Sequence, residues 1–129
     1  MSTRFPYPLK LERSGVRKAI LEEPFVFQSV TVGRIFVPPG FETDYASVPR
    51  MFWAIYPPDG EYTEAAVVHD YLYWTQPCSR AQADKVFLEG MKELGVPWAR
   101  RTLIYSAVRL GGWMAWANNQ REQGYADER

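Results

Sequence analysis

The chain has a single histidine, and an aspartate follows it directly in the segment "VVHDYLYWTQPCSRAQADKVF", which runs from Val67 to Phe87. On a helix His69 and Tyr73 share one face because they are four residues apart, whereas Asp70 lies about 100° farther round. Burying such groups among apolar neighbours is costly unless they find polar partners. The segment therefore predicts a polar site within an otherwise apolar helix.

A second carboxylate, that of Asp84, follows in the next predicted helix. A short connection across Pro77 allows this helix to fold back and bring Asp84 opposite His69. The carboxylate would fix the tautomer of the imidazole, and the other ring nitrogen could then take a proton from water. Tyr73 could donate its hydroxyl to the same carboxylate. We predict His69, Asp84 and Tyr73 as catalytic residues; the alternative is a structural hydrogen-bond network, which is common for buried polar groups.

A cation site is predicted beside this pair. Asp70 faces a different direction from His69 and could bind a hard cation, with Asp44 as a second ligand. One histidine and one cysteine supply too few nitrogen and sulfur ligands for a tetrahedral zinc site. The metal is therefore expected to be one that prefers oxygen ligands, with Ca²⁺ as the candidate cofactor. The alternative for Asp44 is a turn former whose side chain bonds nearby backbone.

Two further side chains are candidate nucleophiles. Ser47 lies in the loop "PPGFETDYASVPR", and loops of this kind often carry function. A Ser47–His69–Asp84 triad is geometrically possible, but Ser47 lacks the glycines of a nucleophile elbow and also fits a turn former. Cys78 could form a dyad with His69, although a single cysteine more often has a structural role.

The composition limits the class of protein. The 129 residues are enough for one domain, and 47% hydrophobic residues argue against a disordered chain. Fifteen basic and fifteen acidic residues cancel, which argues against a broad electrostatic footprint for nucleic acid or an anionic membrane. One cysteine excludes an internal disulfide. We expect neither a signal peptide nor a transmembrane segment, because no apolar run is suited to either.

The first half of the chain is typical of strands and the second half of helices. Phe25 and Phe27 alternate with Val26 and Gln28, which predicts a half-buried strand. We therefore predict one α+β domain, residues 1–129, with a small antiparallel sheet followed by three helices. Its parts are a β-rich region (16–40), a loop region (41–61), a helical region (62–118) and a flexible tail (119–129).

Caps and breakers mark the three helices. Thr63 can cap a first helix to about Trp74, and Ser79 with Gln82 forms a capping box that opens the second. The third helix starts after Pro97 and reaches about Asn118. Arg100, Arg101 and Arg109 are interpreted as solvated positions on this helix, with phosphate binding as the alternative. Its apolar residues recur near helical spacing; they are Leu103, Ile104, Ala107, Val108, Leu110, Trp113 and Met114.

Four ordered motifs carry a resemblance to a known family. They are "VPPGFETDYASVPR", "AAVVHDYLY", "SRAQADKVFLEGMKELGV" and "YSAVRLGG". The sequence resembles a family of small phage and prophage proteins that is catalogued as a domain of unknown function. The resemblance covers about Val30 to Gly112 and implies a bacteriophage or prophage source. The expected location is then the cytoplasm of the infected bacterium or the phage particle.

A more distant resemblance concerns the two central helices. "HDYLY" followed by "ADKVF" is similar to the paired helices of the secreted phospholipase A(2) superfamily. In that superfamily the histidine is general base for a water molecule, the next aspartate holds calcium, and an aspartate on the second helix orients the histidine. The resemblance implies these roles for His69, Asp70 and Asp84, with Tyr73 as the supporting tyrosine. The paired cysteines and glycine-rich calcium loop of that superfamily have no counterpart in this sequence.

The sequence is compatible with functions of three classes. The first is a phage-encoded, hydrolase-like protein in which His69 activates water against an ester in a lipid or in the cell envelope. The second is a non-catalytic virion or tail component that binds other phage structural proteins and keeps the His–Asp pair as a brace. The third is a host-directed binding protein that uses the aromatic run Met51–Tyr56.

Overall fold

The computed structural model describes residues 4–15, 18–43 and 62–127. Within these ranges two small antiparallel sheets precede four helices, so the predicted α+β class is confirmed. The strands are β1 (Leu11–Gly15), β2 (Lys18–Leu21), β3 (Phe25–Ser29), β4 (Gly33–Val37) and β5 (Glu42–Thr43). The helices are α1 (Thr63–Thr75), α2 (Arg80–Glu93), α3 (Trp98–Gly111) and α4 (Trp113–Asp127).

The first sheet has the strand order β1-β2-β5. Leu11 lies opposite Leu21 in the β1–β2 ladder, and Ala19 lies opposite Thr43 in the β2–β5 ladder. The β-structure therefore begins earlier than the predicted residue 16 and continues into the predicted loop region, at β5. Both differences have one cause, because β2 supplies backbone hydrogen-bond partners on each of its edges.

The second sheet is the β3–β4 hairpin, in which Phe25 lies opposite Val37 and Phe27 lies opposite Ile35. Phe25 and Phe27 are buried, but so is Val26 between them, so β3 is covered on both faces rather than on one.

One carboxylate on α2 holds the turn of this hairpin. Glu89 accepts hydrogen bonds from the backbone N–H groups of Val30 and Thr31, both at 3.0 Å, and from the Ser29 hydroxyl at 3.0 Å. The Thr31 hydroxyl also donates to Glu89. Hydrogen bonds to a charged group are stronger than neutral ones. The hairpin turn is thereby fastened to the second half of α2.

The caps of the first two helices differ. The Ser79 side chain accepts from the Gln82 N–H, and the Gln82 side chain accepts from the Ser79 N–H at 3.0 Å, so the predicted capping box is present. α1 has no side-chain cap of this kind, because Thr63 is its first helical residue and Tyr62 occupies the cap position. Gly95 has a φ of 79° just past α2, the left-handed conformation that favours glycine at a helix end.

α1 and α2 approach each other closely where Gly90 lies against Ala65. A Cβ atom on Gly90 would lie 2.7 Å from the Ala65 Cβ and 3.3 Å from the Ala65 Cα. Glycine at this position allows two helix backbones to come together, which sets the distance between the two helices that carry the polar site.

We expect Gly90→Ala to lower the free energy of unfolding by about 1–2 kcal/mol, because overpacking outweighs the helix propensity that alanine adds. Urea unfolding followed by circular dichroism measures the change. The double variant Gly90→Ala/Ala65→Gly is the control, since it removes the methyl group that the new one would meet. A Gly90→Ala protein as stable as the wild type would contradict the close approach.

The predicted third helix is in fact two helices. α3 ends at Gly111 and α4 begins at Trp113, with Gly112 between them. A Cβ atom on Gly112 would lie 2.5 Å from the Tyr73 hydroxyl. The chain therefore passes close to α1 at this joint, and the two consecutive glycines lower the helix propensity there.

α4 continues to Asp127, past Asn118, where the helix was expected to give way to a flexible tail. Two side-chain bonds join the first turns of α4 to the end of α1. Asn119 Nδ2 donates to the carbonyl of Tyr73 at 3.2 Å, and Gln76 Nε2 donates to the carbonyl of Trp116 at 2.8 Å. Anchoring by tertiary contacts stabilises helices whose own sequence is polar.

The apolar residues of α3 and α4 divide between core and surface. Ile104, Ala107 and Val108 are buried. The other large apolar residues predicted for this face are exposed; they are Leu103, Leu110, Trp113 and Met114. None of the helices in the described ranges has the length and apolar character that a membrane span requires.

Candidate functional site around His69 and Asp84

The two central helices bring the predicted polar groups together. Ala65, near the start of α1, lies against Gly90, near the end of α2, while Tyr73, near the end of α1, contacts Asp84. This contact order means that the helices run antiparallel. The fold-back predicted across Pro77 is therefore present.

One carboxylate oxygen of Asp84 contacts the side chains of both His69 and Tyr73 on α1. The Nε2 atom of His69 lies 2.8 Å from Asp84 Oδ1, and the Tyr73 hydroxyl donates to the same oxygen at 2.6 Å. The side chains of His69 and Asp84 are 0% exposed. The Phe87 ring stacks on the imidazole with 4.6 Å between centroids. The imidazole is thus held in one orientation by a bond at its edge and a ring on its face.

Two arginines bind the other oxygen of Asp84. Arg109 Nη1 donates to Asp84 Oδ2 at 2.7 Å, and Arg80 Nη1 donates to it at 3.3 Å. Arg80 also donates to the carbonyls of Val108 and Arg109, each at 3.1 Å. These carbonyls belong to the last turn of α3, where a cation is favoured by the helix dipole. Asp84 therefore joins α1, α2 and α3.

Neither arginine was predicted as part of the site. Arg80 does carry a sequence signal, because it precedes Asp84 by four residues on one helix. Arg109 was interpreted as a solvated helix position. It reaches Asp84 only because the apolar face of α3 packs on α2, and this rotation of α3 has no signature in local spacing.

The donors around Asp84 keep it ionised. Burial acts to raise the pKa of Asp84, but the hydrogen bond and charge of His69, with the bonds from Tyr73 and Arg109, outweigh it and lower that pKa below its usual value. Burial, with the negative charge of Asp84, raises the pKa of the Tyr73 hydroxyl far above its usual value. The bond to Asp84 raises the pKa of Arg109. Asp84 is therefore an anion and Tyr73 a neutral donor at neutral pH.

The ionised carboxylate determines the tautomer of a neutral His69. Asp84 can only accept a hydrogen bond, so the Nε2 atom that faces it must carry a proton. In the neutral imidazole the lone pair then lies on Nδ1. This is the arrangement of a general base that is oriented by a carboxylate.

Asp70 points away from this network, as predicted. It is buried, and the Thr43 hydroxyl of β5 donates to its Oδ2 atom. In the described ranges no group of three or more His, Cys, Asp or Glu side chains could hold a metal ion. Calcium takes about six to eight oxygen ligands, so the described donors near Asp70 do not form a calcium site. Calcium binding stays a prediction.

Of the remaining candidates, only Cys78 lies among the described residues. Asp44, Ser47 and the run Met51–Tyr56 lie outside the described residues. Cys78 is half-buried and packs against the hydrophobic core, and burial raises the pKa of its thiol. A raised pKa disfavours the thiolate that a nucleophilic cysteine needs. This favours a structural role for Cys78.

Comparisons with known proteins match the chain to a family of unknown function, as the motifs suggested. The family model described as "Protein of unknown function (DUF1353)" matches residues 19–108. The "Uncharacterized protein y4jT" of Sinorhizobium fredii (strain NBRC 101917 / NGR234) is 37% identical over 78 residues, which cover 59% of this chain and 23% of that relative. The chain thus spans less than a quarter of that relative's length. No solved structure matches the chain significantly.

Proposed function

The chain belongs to the DUF1353 family, and we propose that it is a hydrolase-like protein of bacteriophage or prophage origin in which His69 activates water. The substrate class is an ester in a lipid or in the cell envelope. The observation that supports this proposal is the 2.8 Å contact between His69 Nε2 and Asp84 Oδ1. Together with the ionised state of Asp84, it leaves a neutral imidazole basic at Nδ1.

The proposed reaction is the hydrolysis of an ester by one water molecule. Water and ester must first gain access to the imidazole, whose side chain is 0% exposed in this structure. His69 Nδ1 then takes a proton from the water as its oxygen forms a bond to the ester carbonyl carbon. The imidazolium that results is stabilised by Asp84, and the bond to the leaving oxygen breaks as that oxygen takes the proton from Nδ1. The products are a carboxylic acid and an alcohol. Tyr73 and Arg109 act as positioning residues, because they donate to Asp84 and act on His69 through it.

A second candidate function is supported by burial. The His69 side chain is 0% exposed, and Asp84 receives bonds from His69, Tyr73, Arg80 and Arg109. A fully bonded buried network is also what a structural brace requires. In this alternative the protein is a virion or tail component that binds other phage structural proteins, and His69 stabilises the fold without taking a proton from water.

The variant His69→Gln distinguishes the two functions. The glutamine amide can still donate to Asp84 but has no basic nitrogen. If His69 is the base, fatty-acid release from vesicles of bacterial phospholipid should fall by about 10²–10⁴-fold, while the protein stays folded with a loss of about 1–3 kcal/mol. Turnover and urea unfolding are measured on the same preparation, with and without calcium.

His69→Asn is the matched control, because its shorter amide does not reach the position of Nε2. It should be inactive and also less stable than His69→Gln. A wild-type protein that releases no fatty acid in either condition, or a His69→Gln protein with full turnover, would exclude the general-base role. The first of these results favours the brace.

A further inference from the structure

An exposed apolar stripe lies along α3 and the start of α4. Leu103 and Leu110 are 50% and 76% exposed and lie seven residues apart, on one face of α3. Trp113 and Met114 continue the stripe at 57% and 56% exposure. Gly112 between them keeps a right-handed helical backbone, so the positions stay in register. We call these four residues the α3–α4 stripe.

This stripe is unusual for a protein surface. Exposed apolar residues are common singly, but a contiguous apolar patch marks a contact with another molecule or a membrane. Trp98, at the start of α3, adds a further exposed aromatic side chain at 69%. The buried face of the same helix, with Ile104 and Val108, already serves the core. The stripe is therefore a second apolar face that the fold leaves open.

The charged residues of the segment that forms the stripe have one sign. From Leu94 to Arg121 the sequence contains four arginines and no lysine, aspartate or glutamate. The net charge of zero therefore hides an asymmetry, because the rest of the chain has eleven basic and fifteen acidic residues. Arg100 is exposed on α3 beside the stripe. Asp84 binds one of the four arginines, Arg109, but the segment itself contributes no carboxylate. An apolar helix face accompanied by arginines of its own segment is the pattern of a helix that lies on a membrane surface.

We propose that the α3–α4 stripe docks onto an anionic lipid surface, with Leu103, Leu110, Trp113 and Met114 entering the headgroup region. Tryptophan is well suited to this boundary because its ring is apolar and its N–H is polar. The inference does not depend on the proposed hydrolysis, since a non-catalytic protein could bind the same surface. If the protein does cleave lipid esters, this stripe is the face that meets the substrate bilayer.

Charge favours lipid over a second copy of the chain. A dimer formed through this stripe would place two segments of the same charge sign against each other, because each contains four arginines, one of them bound by Asp84, and no acidic residue from Leu94 to Arg121. Like charges brought together destabilise an interface. An anionic bilayer instead attracts each arginine near its surface.

The test is co-sedimentation of the full chain with vesicles of phosphatidylglycerol, compared with vesicles of phosphatidylcholine. We expect binding to phosphatidylglycerol that weakens with added salt, because screening reduces the attraction. The double variant Leu110→Ser/Trp113→Ser should bind at least about ten-fold more weakly, since each removed apolar group lowers the affinity. Val30→Ser is the matched control, because Val30 is 74% exposed but lies on the β3–β4 turn. It should bind like the wild type.

Several outcomes would overturn the proposal. They are no binding to phosphatidylglycerol, equal binding to both lipids, or equal weakening by Val30→Ser. Sedimentation without lipid tests whether a second copy of the chain occupies the stripe. A dimer that Leu110→Ser dissociates would assign the stripe to that second copy. Binding that persists in His69→Gln would separate this inference from the proposed hydrolysis, because that variant keeps the stripe and loses only the base.

Discussion

Asp84→Asn is expected to lower the free energy of unfolding by about 3–5 kcal/mol, the loss typical when one partner of a buried ionic network is removed. Asp84 is 0% exposed and accepts from His69 at 2.8 Å, from Tyr73 at 2.6 Å and from Arg109 at 2.7 Å. An amide can accept at one atom only, so its NH₂ group would face donors on one side of the network. Urea unfolding at neutral pH measures the loss.

The same variant gives a pH signature. Because the folded-state pKa of Asp84 is lowered, its contribution to stability is complete above the unfolded pKa of about 3.9. It is lost as the pH falls through the lower folded-state value. The difference in stability between wild type and Asp84→Asn should therefore shrink below about pH 4.

A surface carboxylate provides the control. Glu23 pairs with Lys10 at 3.3 Å, but both side chains are at least half exposed. We expect Glu23→Gln to change the stability by less than about 1 kcal/mol. If Asp84→Asn cost no more than this control, the network would not hold the three helices together.

Gly112→Ala has the second largest expected effect on stability, a loss of about 2–3 kcal/mol. The new Cβ would lie 2.5 Å from the Tyr73 hydroxyl and 2.6 Å from the Val108 carbonyl oxygen. Tyr73 cannot easily move away, because its hydroxyl is bonded to Asp84. Helix propensity alone predicts the opposite sign, since Gly112 has helical backbone angles and alanine is the better helix former. Thermal unfolding of Gly112→Ala decides between the loss expected from overpacking and the gain expected from helix propensity.

A double-mutant cycle with Tyr73→Phe isolates the contact. Removing the hydroxyl takes away the atom nearest to the new methyl group, so the double variant should be less destabilised than the sum of the single variants. Strict additivity would show that Gly112 is required for a reason other than its approach to Tyr73.

The central contacts of the site could be predicted because they depend on short-range geometry. His69 and Tyr73 share a face through the helical period, and one short turn brings Asp84 to them. The rest depends on long-range packing. Arg109 reaches Asp84 because the buried residues of α3 set its rotation, and Thr43 reaches Asp70 because β5 joins the first sheet beside α1.

The fold shows the same division. The capping box at Ser79 is a local signal, and it was predicted from the sequence. The joint at Gly112 was not predicted. The apolar spacing runs through it without a break, and the reason for the glycine is the tertiary approach of the Tyr73 hydroxyl. Spacing also could not separate Ile104, which enters the core, from Leu110, which faces solvent.

The carboxylate of Glu89 has a consequence for how the chain unfolds. Glu89 lies five positions after Asp84, so the two acids leave α2 on different sides, one toward the β3–β4 turn and one toward α1 and α3. Neither the hairpin nor the helices can detach without breaking charged bonds to the same helix. Amide protons of the hairpin should therefore exchange with solvent only in the opening that also releases the helices, as members of one cooperative unit.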